Sequence, residues 1–141
     1  MIDIINRQRR RKINAKKWHD FTARALELIS KNEPAVTIVF VGDPAIRNLN
    51  RQFRNRNYAT DVLSFPARAE MFETGDQSNL GEVIVSVERA AVQAKENGLT
   101  LANELQQLIL HGLLHLAGYD HETDTGQMNR LELKLRKRLG I

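Results

Sequence analysis

Short, nearly continuous apolar runs in this chain are separated by longer stretches whose apolar residues return every three or four positions. The first pattern suits buried strands and the second amphipathic helices. Met1–Asn6 reads as a short strand. Asn14 predicts the cap of a helix running to about Lys31, with Trp18, Phe21, Ala25 and Leu28 along one stripe. Val36–Val41, rich in β-branched residues, predicts a strand. Asp43-Pro44 then has the character of an N-cap followed by proline at the first helical position. Ile46, Leu49 and Phe53 would form the buried stripe of that helix.

Asp61–Phe65 predicts another strand, stopped by Pro66. From Ala67 to Asn79 no period is visible and Gly75-Asp76 marks a turn, so the stretch reads as a mobile surface loop. Leu80–Ser86 resumes as a strand, and Ser86 would cap a helix to Asn97 that Gly98 closes. Thr100 predicts the cap of the next helix, which continues to about Ala117. Its Leu105, Leu108, Ile109, Leu113, Leu114 and Leu116 cover more than a narrow stripe, which predicts burial over much of its circumference. Asp124 and Gln127 have capping-box spacing ahead of Met128, Leu131, Leu135 and Leu139, the stripe of a last amphipathic helix. Few strands, mostly separated by helices, predict an α/β (α+β) fold: a single small mixed sheet packed with about five helices. With 141 residues and no repeat or linker, the expectation is one domain spanning 1–141.

Composition narrows the chemistry. There is no cysteine, which excludes disulfides, thiolate nucleophiles and thiolate zinc sites. No signal peptide and no apolar run of membrane-spanning length is visible, so the expectation is a soluble, cytoplasmic protein. The net charge is +4 and unevenly spread. Arg7, Arg9, Arg10, Arg11 and Lys12 cluster near the start, Arg47, Arg51, Arg54 and Arg56 in the middle, and Lys134, Arg136, Lys137 and Arg138 at the end. Such clusters either attract a phosphate backbone without reading its sequence or simply solvate a face.

Three of the 4 histidines fall in one short stretch, as His111, His115 and His121. The first two are a helical turn apart, so both imidazoles can leave one face. Gly118 offers a stop, after which the chain can return His121 toward the pair. Three neutral imidazoles arranged this way suit zinc or another borderline divalent ion with a fourth position open, a catalytic geometry more than a structural one. Position 112 is glycine where the HExxH arrangement of zinc proteases has its glutamate base, so peptide hydrolysis of that kind is poorly supported. Glycine there would instead permit close packing beside the metal helix. Asp120 suits either support of an imidazole or a turn, and Tyr119 either covers the site or enters the core. His19, on an exposed-looking turn before Asp20, has no expected role.

At this point the sequence strongly resembles the YbeY family of bacterial endoribonucleases, the rRNA maturation factors. The matching segments are His111 to His121 in the pattern HGxLHLxGYDH, Leu49-Asn50-Arg51-Gln52-Phe53-Arg54 continuing to Thr60 through Pro66, and Leu80 to Ser86. In the last of these, Glu82 stands where the family commonly has aspartate.

The resemblance implies a zinc-dependent single-strand endoribonuclease acting in maturation of the 16S rRNA 3′ end and in quality control of defective 70S ribosomes. One zinc per chain would be held by His111, His115 and His121, with Arg54 the functional arginine of the cleft. It also implies association with the small ribosomal subunit and an architecture related to metalloprotease (zincin-like) domains. The expected chemistry is attack on a phosphodiester by metal-activated water, or by a substrate 2′-hydroxyl, while Arg54 counters phosphate charge. Asp61, Glu82 and Asp120 are candidate helpers. Competing expectations are a noncanonical metallopeptidase and a ribosome assembly factor whose metal is mainly structural.

Overall fold

A computed structural model describes residues 1–30, 34–67, 79–119 and 126–141. Its elements run β1 (Ile2–Asn6), α1 (Ala15–Ile29), β2 (Ala35–Val41), α2 (Asp43–Arg54), β3 (Val62–Pro66), β4 (Asn79–Ser86), α3 (Val87–Asn97), α4 (Leu101–Leu116) and α5 (Gln127–Leu139). The strands form one mixed sheet in the order β1-β2-β4-β3. The first three are parallel, and β3 closes the edge antiparallel to β4, with Ser64 opposite Val83. This is the expected small mixed sheet with five helices.

Alternation along the strands divides the apolar side chains between the two faces of the sheet. Val36, Ile38 and Phe40 of β2, with Val83 and Val85 of β4, join the main core formed with α1, α3, α4 and α5. Val39, Val41 and Ile84 belong to the opposite cluster, which Ile46 of α2 and Leu63 of β3 complete. Thus, among the described residues, α2 covers one face and the other four helices the second. No described helix is long and apolar enough to cross a membrane.

Three helix starts form as the sequence suggests. The side chains of Asn14, Ser86 and Thr100 accept from the backbone amides of Lys17, Arg89 and Asn103. The start of α2 differs. Gly42 is its cap, while Asp43 and Pro44 are already helical. The Asp43 carboxylate accepts instead from the Ser86 hydroxyl at 2.6 Å and from Arg89 at 3.2 Å. Two partners from the β4–α3 junction, one of them charged, outcompete a local backbone amide.

Phe53 is 57% exposed instead of buried, because α2 has reached the sheet rim; its ring meets Phe65 of the edge strand, centroids 5.3 Å apart. Asn50 is buried in that turn, where its amide donates to the Tyr58 carbonyl at 3.0 Å. On α1, Leu26 takes the fully buried place and Leu28 packs at its margin. Pro66 is the last residue of β3 and not its stop, since an edge strand tolerates a missing N–H. Helix α5 is capped at Gly126, with φ of 97°, so Gln127 opens the helix instead of completing a box. Asp124, and most of the expected surface loop, lie outside the described residues.

Candidate active site

Helix α4 runs against the sheet with Leu105, Ile109, Leu110, Leu113 and Leu114 buried, which fixes the direction of its remaining face. At its C-terminal end His111 and His115 leave that face together. Their Nε2 atoms lie 3.1 Å apart, and the rings meet edge to face with centroids 4.6 Å apart. His111 Nδ1 is 3.0 Å from Glu132 Oε1 on α5, a side chain only 7% exposed. A carboxylate can only accept, so this imidazole keeps its proton on Nδ1 and presents the lone pair of Nε2. Arg136 stands 3.7 Å behind the same carboxylate oxygen.

This arrangement suits a metal. Two imidazole nitrogens on a tetrahedral zinc, at bond lengths of about 2.0–2.1 Å, sit roughly 3.3 Å apart. The observed spacing matches two neighbouring positions on one ion. A carboxylate behind a ligating histidine is the usual outer support of such a ring. Among the described residues no third histidine or acid completes a ligand group. His121 and Asp120 lie outside the described residues.

Gly112 explains how close α4 comes to the sheet. A Cβ there would stand 2.6 Å from Val83 Cγ1 and 3.1 Å from Ser64 Oγ. The Ser64 hydroxyl donates to the Gly112 carbonyl at 3.3 Å. The close packing expected of this glycine is therefore present, and a glutamate in its place would meet the sheet.

Arg54, the last residue of α2, reaches the same cleft around the sheet edge. A cleft of about 510 Å³ is lined by Arg54, Ser64, Pro66, His111, His115 and Tyr119, among others. The Arg54 guanidinium donates to the Ser64 carbonyl at 3.0 Å and lies 5.9 Å from the Phe65 ring centre. Asn55 ends α2 immediately afterwards in the left-handed region, with φ of 55°. The arginine is thus held at a helix terminus and braced on β3. Tyr119 is 37% exposed at the cleft wall, not in the core.

Other candidates fall elsewhere. Glu82 is exposed and lines a separate concavity with Thr37, Phe65 and Asn79. The Asp61 carboxylate accepts from the Val62 amide at 2.8 Å. In its satisfied orientation the Gln93 amide also donates to Asp61 at 3.2 Å and to Glu104 at 3.1 Å. Asp61 therefore holds the turn into β3, which begins at Val62 and not, as the sequence suggests, at Asp61. His19 is half exposed beside Asp20, away from the cleft. Glu132 is a site residue that the histidine pattern does not single out, although the sequence carries a signal for it: it lies between Met128 and Leu135, on the stripe that α5 buries.

The family profile described as Endoribonuclease YbeY matches residues 3–140. The chain belongs to the YbeY endoribonuclease family. A relative from Solibacter usitatus, named Endoribonuclease YbeY, is 42% identical over 121 residues, covering 86% of this chain and 76% of its own. One of the same name from Geobacter metallireducens is 34% identical over 141 residues, covering 99% and 94%. The solution structure of TM1509 from Thermotoga maritima superposes with a TM-score of 0.67 at 30% identity, covering 99% of this chain and 89% of that one. Membership in the YbeY family carries with it a nuclease role. Both histidines and Arg54 fall within the matched span.

Proposed function

We propose that this chain is a zinc-dependent single-strand endoribonuclease that matures the 3′ end of 16S rRNA and takes part in quality control of 70S ribosomes. The observation that carries the reading is the meeting of Arg54 with the His111–His115 pair across one cleft, in a chain of an endoribonuclease family. His111, His115 and His121 hold the ion in this reading, one per chain. When bound, zinc supplies a Lewis acid and an activated water close to neutral pH. The helix-and-edge-strand setting of the histidine pair supports the metalloprotease-like architecture that the resemblance implies.

The protein's own groups then have distinct tasks. Glu132 holds the His111 ring so that Nε2 faces the cleft. Arg54, braced on Ser64, offers further N–H donors to a nonbridging phosphate oxygen and counters the charge gained as the phosphorus is attacked. Guanidinium suits this better than ammonium because its donors are coplanar and permanently charged. A single strand gives the cleft access to the scissile link, which a duplex would shield. With this substrate the chain works at the small ribosomal subunit and so in the cytoplasm. With Gly112 seated against Val83, an HExxH-type peptidase finds no support.

The test compares cleavage of a single-stranded oligoribonucleotide by wild type, Arg54→Ala and His115→Ala, with zinc content measured in each. Arg54→Ala should keep its zinc and lose about 10²–10³-fold in kcat. His115→Ala should lose both zinc and cleavage. Full cleavage by Arg54→Ala would refute the assigned role. Mapping the product ends separates water attack from 2′-hydroxyl attack.

A further inference from the structure

The middle arginine cluster has a use beyond Arg54. Two further concavities continue from the histidine cleft along α2. The first, of about 300 Å³, shares Arg54 and Leu63 with the cleft and adds Arg56 and Tyr58. The second, of about 760 Å³, shares Tyr58 with the first and is walled by Arg47, Arg51, Arg89 and Asp43. Through these shared side chains the three line up as one trough along α2, from Arg54 at its last residue to Asp43 at its first.

Its chemistry points to a polyanion with planar rings. Among the described residues that wall the second concavity, Arg47, Arg51 and Arg89 meet one acid, Asp43, whose carboxylate already accepts from Ser86 and Arg89. Arg47 and Arg51 donate to neutral amides, at 3.1 Å to Asn57 and 2.8 Å to Asn48. Neither interaction neutralises them. Arg89 Nε is buried with no hydrogen-bond partner among the described residues. Tyr58 is 50% exposed, its hydroxyl accepting from Arg56 at 3.1 Å. An exposed ring flanked by guanidinium groups is the usual platform for an unpaired base, with arginines tracking the backbone on either side. The basic segment near the start joins this surface, because Glu88 receives both Arg10, at 3.6 Å, and the Asp43 amide, at 3.2 Å.

We infer that this trough holds the RNA strand beyond the scissile phosphate: a base stacks on Tyr58 while Arg47, Arg51 and Arg89 bind the phosphates that follow. The inference rests on the endoribonuclease reading and extends it from the point of cutting to the length of strand the protein needs. It makes Tyr58 and these arginines positioning residues, and it predicts a preference for substrates long enough to leave the cleft.

The experiment uses the zinc-loaded full chain with a trinucleotide and a single strand of about twenty nucleotides, both fluorescently labelled. Cleavage and anisotropy binding are measured for wild type, for Arg47→Ala/Arg51→Ala, and for Tyr58→Ala and Tyr58→Phe. Arg24→Ala/Lys134→Ala removes two exposed charges elsewhere and serves as the control. In the arginine pair, kcat/KM for the long strand relative to the trinucleotide should fall roughly ten-fold, through KM. The salt dependence of binding should flatten by about 0.7 in log–log slope for each phosphate that the variant no longer neutralises. Tyr58→Ala should weaken long-strand binding roughly ten-fold, and Tyr58→Phe should restore it because the ring is kept. Equal ratios in wild type and the arginine pair, or an equal reduction in the control pair, would overturn the inference. If the wild type cuts no RNA, the nuclease reading falls separately. Anisotropy then still decides the trough, since weaker binding by the arginine pair sustains it and unchanged affinity removes it.

Discussion

Glu132 does its work on His111 without touching a reactant, and the pair shows what single residues contribute here. The 3.0 Å approach to Nδ1 orients the ring and makes its other nitrogen a better donor to a metal. Glu132→Ala should therefore weaken zinc binding by about 10–100-fold, and Glu132→Gln, which keeps an acceptor but not the charge, by less. Competition with a chelating dye measures both, with circular dichroism confirming the fold. Unchanged zinc affinity in Glu132→Ala would sink the assignment. The histidines are legible in the sequence because their spacing alone puts them on one helix face. Glu132 is not, since its meaning depends on α5 packing onto α4. An acid on an apolar stripe signals a buried partner but does not name it.

Elements follow the same logic of local signal against distant competitor. Asn14, Ser86 and Thr100 cap as expected because their own helix amides are the partners they use. Asp43 does not, because the chain returns Ser86 and Arg89 to it from far along the sequence. Phe53 keeps the helical period yet reaches only the rim of the sheet, against Phe65, and periodicity cannot show where a sheet ends. Packing of α4 on the sheet depends closely on one position. Gly112→Ala forces a methyl to within 2.6 Å of Val83, so α4 must shift or the valine must move. Overpacking of this kind should lower stability by about 1–3 kcal/mol, seen as a lower urea midpoint. The same shift would displace both histidines relative to Arg54, and kcat should drop with it.

For the whole molecule, strand alternation shows that two faces are buried but not which helices cover each. That assignment decides how the site is built. The histidines stand on the crowded face and Arg54 arrives from the lightly covered one, meeting around β3. Zinc bound to the native state alone should raise the melting temperature, with about 2.7 kcal/mol of added stability at a free concentration one hundred times Kd. Removing it with a chelator should reverse that rise and abolish cleavage together. A metal that leaves the melting temperature unchanged would not be held by the folded cleft.

Because the guanidinium and the imidazoles belong to layers on opposite sides of the sheet, the two can part company before the protein unfolds. Helix α2 rests on the smaller apolar cluster, so its local opening should need less free energy than loss of the main core. In mild urea the chain should accordingly fall silent towards RNA while still carrying its ion: a state that colorimetric metal assays would score as intact and activity assays as dead.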